Sequence, residues 1–139
     1  MKLLLVFALC ATSAYGGVVS TTSCGGVGTW RELRINGCEG ASCNMRPGTP
    51  FAFEADFVTS SASPSLCLDV TAVYLGFPIS IISTELENSS VQPGQLYTVR
   101  FTITPNDQLS GNELPVSASV GRCNSGLIEI CRTVRVYVI

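Results

Sequence analysis

Apolar and polar residues alternate with a period of two along most of the chain, the mark of half-buried β-strands. Leu33 and Ile35 share one face, with Arg34 and Asn36 on the other. Phe51, Phe53, Ala55 and Phe57 oppose Ala52, Glu54 and Asp56. Leu66, Leu68, Val70, Ala72 and Tyr74 alternate with Cys67, Asp69, Thr71 and Val73. The same rhythm runs through Tyr97, Val99, Phe101 and Ile103, and then through Leu114, Val116, Ala118 and Val120. It closes on Ile128, Ile130, Val134, Val136 and Val138, which places Glu129, Cys131, Thr133, Arg135 and Tyr137 on the polar phase. Turn residues separate these runs: Asn36-Gly37, Arg46-Pro47-Gly48, Ser63-Pro64-Ser65, Gln92-Pro93-Gly94 and Asn124-Ser125-Gly126. No stretch of about ten residues holds a helical period. About seven short, mostly antiparallel strands predict an all-β, two-sheet sandwich, ahead of a closed barrel. The Thr/Ser/Gly-rich stretch from Val18 to Thr29 reads as a loose segment tied down by Cys24. Its Gly25-Gly26-Val27-Gly28 run follows no strand and opens no helix, so it is read as flexible backbone and not as a phosphate loop.

Residues 1–16 break the pattern. Lys2 precedes an apolar run from Leu3 to Ala11, and small residues stand at Ala14 and Gly16. This is the layout of a secretory leader cut near Gly16, leaving one domain over 17–139. The run is far short of the ~20 apolar residues a membrane span needs. Removing it also removes the sole lysine, leaving seven arginines against ten acids and a formal charge of −3. No basic patch for nucleic acid is present in such a chain. The sequence contains no histidine. That excludes Ser-His-Asp and Cys-His catalysis, a His-ligated metal site and an imidazole switch. Glu54, Asp56 and Asp69 sit on polar strand phases, which argues for solvated faces and against a carboxylate acid–base pair. No catalytic residue, cofactor or metal is assigned.

Six cysteines remain after the leader: Cys24, Cys38, Cys43, Cys67, Cys123 and Cys131. An even number in a secreted domain reads as three disulfides, although six allow 15 pairings. Cys38 and Cys43 bracket a short polar loop suited to a local bridge. Joining Cys24 to Cys131 would staple the two ends of the domain, and Cys67 would then be left with Cys123. Asn88-Ser89-Ser90 is an N-glycosylation acceptor in a polar loop.

Several segments together resemble the MD-2-related lipid-recognition (ML) family. They are Leu33-Arg34-Ile35-Asn36-Gly37-Cys38, Cys43, the run Arg46-Pro47-Gly48-Thr49-Pro50 with the aromatic strand that follows, Leu75-Gly76-Phe77-Pro78-Ile79, and Val91-Gln92-Pro93-Gly94-Gln95-Leu96-Tyr97. Within that family the chain is similar to secreted Niemann-Pick type C2 proteins and mite group 2 allergens. The resemblance implies an immunoglobulin-like antiparallel sandwich whose sheets splay around a hydrophobic cavity holding a sterol, a fatty acid or a similar lipid. It also implies a carrier, not an enzyme, working outside the cell or in a lysosome-like lumen. The first–last and short-loop cysteine pairs match the family by position. One departure is that the segment 83–93 lacks the cysteine pair the family usually places there, while Cys67 and Cys123 are extra.

On this reading the inward positions are the pocket candidates. They are Phe51, Phe53 and Phe57; Val70 and Tyr74; Phe77, Ile79 and Ile81; Tyr97, Val99 and Phe101; Leu114 and Val116; and Ile130. Proline interrupts two of these runs, at Pro78 and Pro115, and such breaks mark the edge where the sheets fail to close. Trp30 is expected to pack the end of the sandwich. The partner is then a lipid, the chain is expected to act as a monomer, and any membrane or receptor that receives the lipid is left unspecified. The competing reading is a secreted adhesion or immune-recognition module with a closed core and an exposed apolar patch.

Overall fold

Where the alternation predicts strands the chain forms them, and it forms others that periodicity does not reveal. The computed structural model describes residues 16–139, so the leader expected over 1–16 falls, but for Gly16, outside them. Ten strands occur among the described residues. They are β1 (Gly16–Val19), β2 (Thr22–Gly25), β3 (Thr29–Asn36), β4 (Cys43–Met45) and β5 (Phe51–Val58), then β6 (Leu66–Tyr74), β7 (Phe77–Glu85), β8 (Leu96–Ile103), β9 (Asn112–Arg122) and β10 (Ile128–Val138). One sheet runs β1-β3-β5-β8; the other runs β2-β10-β9-β6-β7, with β4 alongside β10. Every pairing is antiparallel except β4 with β10. The inward phases of both sheets form one apolar core in which Ile35, Phe53, Phe57, Leu66, Leu68 and Val70 are almost wholly buried. The fold is the expected immunoglobulin-like two-sheet sandwich.

The N-terminal stretch departs from its reading as a loose segment. β1 pairs with β3 in the first sheet, and β2 pairs with β10 in the second. Each is only four residues long, too short for a period to show. The glycine run between β2 and β3 crosses from one sheet to the other against the start of β10. Val27 N–H donates to Ile128 O at 3.1 Å, and Gly28 N–H donates to Glu129 O at 2.8 Å. A Cβ on Gly28 would stand 2.7 Å from Val58 O and 2.8 Å from Glu129 Oε1. Close packing, and not flexibility, therefore requires that glycine.

Glu129 also departs from its expected polar phase. The β9–β10 register slips between Ile128 and Ile130, and a bulge of this kind turns a residue to the other face. Glu129 is buried while Ile128 is 43% exposed. The buried carboxylate accepts from Ser60 N–H at 2.8 Å, Ser60 Oγ at 3.0 Å and Ser61 Oγ at 3.1 Å. It thereby ties the β5–β6 loop to β10.

The outer face of the first sheet carries a second polar network. Arg34 on β3 reaches Glu32 at 2.6 Å, Asp56 at 2.7 Å and Glu54 at 3.3 Å, and Arg100 on β8 reaches Glu54 at 2.8 Å. Thr98 Oγ1 donates to Asp56 at 2.8 Å. Glu54 and Asp56 are thus paired across three strands instead of simply solvated. The hydrogen bond to Asp56 outweighs partial burial and raises the Arg34 pKa further above its ordinary value.

Three disulfides join Cys24 to Cys131, Cys38 to Cys43 and Cys67 to Cys123, the three pairings reached from spacing. The first closes a separation of 107 residues. Replacing both of its cysteines, Cys24→Ser with Cys131→Ser, is expected to lower stability by about 2–5 kcal/mol in denaturant unfolding. A change below about 0.5 kcal/mol would show that the strands hold the ends without it. Glu129→Ala leaves Ser60 N–H without its acceptor and is expected to lose about 1–3 kcal/mol by the same measurement.

Candidate functional site

The two ends of the sandwich are built differently. At one end the strand termini lie close and are cross-linked. Thr29 pairs with Val58, Leu66 with Arg122 and Ile128 with Gly121, and both Cys24–Cys131 and Cys67–Cys123 sit among them. At the other end the second sheet comes apart. The β6–β9 pairing stops at Ala72↔Val116, one residue short of Pro115, which has no N–H to continue it. The β6–β7 hairpin runs on to Tyr74↔Phe77 and turns through Leu75 and Gly76, both at positive φ, as a two-residue hairpin turn requires. Edge strand β7 tolerates Pro78, and almost all of its residues are exposed.

A short segment spans the gap. Beyond Ile103 the chain leaves β8 and makes one 3-10 turn, Asp107–Leu109. Asn106 caps it, its Oδ1 accepting from Gln108 N–H at 3.0 Å. Tyr74 Oη donates to Gln108 O at 3.3 Å, and Gly48 N–H donates to Pro105 O at 2.8 Å. The segment is therefore held by β6 and by the β4–β5 loop.

Between this segment and the separated strands lies a cavity of about 350 Å³. Its floor is Phe53 on β5 with Val116 and Leu114 on β9. Ala72, Tyr74, Ile79 and Ile81 form the hairpin wall, and Met45, Val136 and Val138 the opposite wall. Ile103, Leu109 and the polar rim of Thr104, Pro105, Asn106 and Gln108 close the remaining side. Outside the mouth, Leu75 and Phe77 are each 71% exposed, giving an apolar lip.

A second, smaller void of about 30 Å³ lies deeper, with room for about one or two waters by volume. Trp30, Phe57, Leu68, Val99, Phe101 and Ile130 are among its walls, and Phe53 and Val116 border both spaces. Phe53 stacks on Phe101 at 4.9 Å between ring centroids, so its ring divides the two compartments. Arg132 caps the closed end, 5.0 Å over the Trp30 ring, with Nε donating to Thr21 Oγ1 at 3.0 Å.

The pocket candidates sort along this axis. Phe53, Tyr74, Ile79, Ile81, Leu114 and Val116 border the cavity. Phe57, Val99, Phe101 and Ile130 border the inner void instead. Four border neither space. Phe51 is buried beside Gly37, and Val70 is buried on β6 between Leu68, which borders the inner void, and Ala72, which borders the cavity. Tyr97 pairs with Phe57 near the closed end, where its Oη accepts from Gln92 N–H at 2.8 Å. Phe77 points into solvent on the lip. Val136 and Val138 carried the inward phase and are legible in retrospect. Met45 sits in a three-residue strand, and the 104–109 segment reads as an ordinary polar turn.

No family model matches the chain. The mite group 2 allergen Tyr p 2 of Tyrophagus putrescentiae is 28% identical over 108 residues, covering 74% of this chain and 75% of the allergen. A Niemann-Pick type C2 protein from the Japanese carpenter ant superposes with a TM-score of 0.71 at 12% identity, over 86% of this chain and 99% of that one. Chicken MD-1, solved in complex with lipid IVa, gives a TM-score of 0.54 at 13% identity, over 86% of this chain and 94% of its own. The two solved structures thus share the sandwich fold with this chain.

Phe53 is the residue on which the compartment boundary depends. Phe53→Ala is expected to cost about 3–5 kcal/mol and to merge the void with the cavity. Denaturant unfolding measures the first effect and a structure of the variant the second; a fully collapsed interior would refute the partition.

Proposed function

From the premise that this chain is an ML-type β-sandwich resembling group 2 allergens and Niemann-Pick type C2 proteins, we propose that it is a secreted lipid carrier. The sterol, fatty acid or similar apolar ligand would sit between the sheets at their open end. The single observation that carries this reading is the cavity of about 350 Å³, walled mainly by aliphatic side chains, Phe53 and Tyr74. Its volume lies within the range of about 300–1,000 Å³ usual for small-molecule sites. Each 100 Å² of ligand surface removed from water there is worth roughly 2.5 kcal/mol. The walls provide burial and a few hydroxyl and amide groups, which suits holding a molecule rather than transforming it. An adhesion module would be expected to fill this space with side chains.

Secretion is part of the same proposal. The leader over 1–16, the domain over 17–139 and the three disulfides all fit an oxidising compartment. Asn88 is exposed in a left-handed conformation on the β7–β8 loop, and Ser90 is exposed with it, while Ser89 between them is buried, so the acceptor asparagine and the hydroxyl of the triplet face solvent. The carrier acts as a monomer in this reading.

Extraction and mass spectrometry of protein purified from a eukaryotic host are expected to release a stoichiometric sterol, fatty acid or related lipid. Ile81→Trp, which fills the mouth from a partly exposed position, is expected to cut bound lipid at least tenfold with little change in unfolding midpoint. Protein that carries no lipid and takes up neither sterol nor fatty acid would refute the proposal. Asn88→Gln is expected to abolish any glycosidase-sensitive mass difference.

A further inference from the structure

The polar groups that line the cavity are all uncharged. Of the residues that line it, all among those described, not one is Asp, Glu, Lys or Arg. Its polar groups belong to Tyr74, Thr104, Asn106 and Gln108, which offer hydroxyl and amide donors and acceptors. Those groups gather on one side, at the rim, while the floor at Phe53 and Val116 is wholly apolar. A ligand with one polar end therefore has one favourable orientation, tail toward Phe53 and polar end at the 104–108 segment.

The charges nearest in the chain reinforce the selection. Asp107 lies between the two rim amides, is exposed, and repels an anionic end. Arg46 adjoins the rim, because Gly48 in the same loop donates to Pro105 O. Yet Arg46 is exposed and does not line the cavity, whereas its neighbour Met45 is buried and does. A carboxylate at this exposed rim would face Asp107 and no cationic lining residue, and one drawn deeper would lose water without gaining a partner. A hydroxyl needs one hydrogen bond, and the rim supplies it.

We propose that the ligand of this cavity is an uncharged amphiphile with a single hydroxyl, carbonyl or ester end, and that fatty-acid anions and phospholipid-type headgroups are excluded. This rests on the carrier reading and narrows its ligand class. The test uses the full secreted chain, stripped of co-purifying lipid, and calorimetric titration with decan-1-ol, decanoate and decylammonium at pH 8. Decan-1-ol is expected to bind at least tenfold more tightly than either ion. The decanoate deficit is expected to shrink as the pH falls through the carboxylic-acid range, about 4–5, where the probe becomes neutral. Arg46→Gln is expected to leave decan-1-ol affinity and the tenfold gap unchanged.

Decanoate binding as tightly as decan-1-ol at pH 8 would overturn the proposal while leaving the carrier reading intact. If Arg46→Gln then removed that binding, the headgroup site would pass to Arg46. Decylammonium binding most tightly would overturn it in favour of Asp107. Binding of none of the three would overturn this inference, and the carrier reading falls with it only where sterol and fatty acid are not taken up either.

Discussion

The interior of this protein takes its shape from where the β6–β9 ladder stops, next to Pro115. Two apolar sheets in water gain by closing on one another along their whole length, and side chains ordinarily fill the space between them. Here the central β6–β9 ladder ends at Ala72↔Val116, and the β6–β7 hairpin continues without β9 beside it. A gap at that point cannot be sealed by further strand pairing. The 104–109 segment crosses it instead, anchored through Gln108 to Tyr74 and through Pro105 to Gly48. The cavity is what remains beneath.

An interior with unfilled volume forfeits packing contacts, so stability has to come from elsewhere. The closed end supplies much of it. Two of the three disulfides, the buried Glu129 with its three serine donors, and the Trp30–Arg132 contact all lie there. The outer face of the first sheet adds Arg34, bound by Glu32 on its own strand and by Glu54 and Asp56 on β5. These contacts lie away from the mouth, so the hairpin wall can be lined by small and exposed apolar residues without serving as the main brace. The third disulfide, Cys38–Cys43, precedes Met45 and steadies the wall opposite the hairpin.

The sequence made the sandwich legible because its long strands bury one face each, and period-two alternation records that directly. Phe51 to Phe57 and Leu66 to Tyr74 illustrate it. Four-residue strands such as β1 and β2 are too short to leave the same record, and a single bulge sufficed to invert Glu129. The open edge was legible from Pro78 and Pro115, residues whose chemistry is local. The depth of each inward side chain was not. Alternation says which face a residue occupies but not how far along the sandwich it lies, so Phe57 and Ile81 looked alike although they occupy opposite compartments. The polar rim was hidden for a related reason: its importance comes from what it spans.

The division of the interior by Phe53 also makes this protein optically asymmetric. Its one tryptophan, Trp30, borders the inner void and not the cavity at the mouth. Its indole therefore senses the inner void, with Arg132 on one side and apolar walls on the other. A molecule resting above Phe53 leaves that environment intact, and the tryptophan emission would be silent to its arrival. A spectral shift on loading would instead signal that the Phe53 ring had moved and that the two compartments had become one.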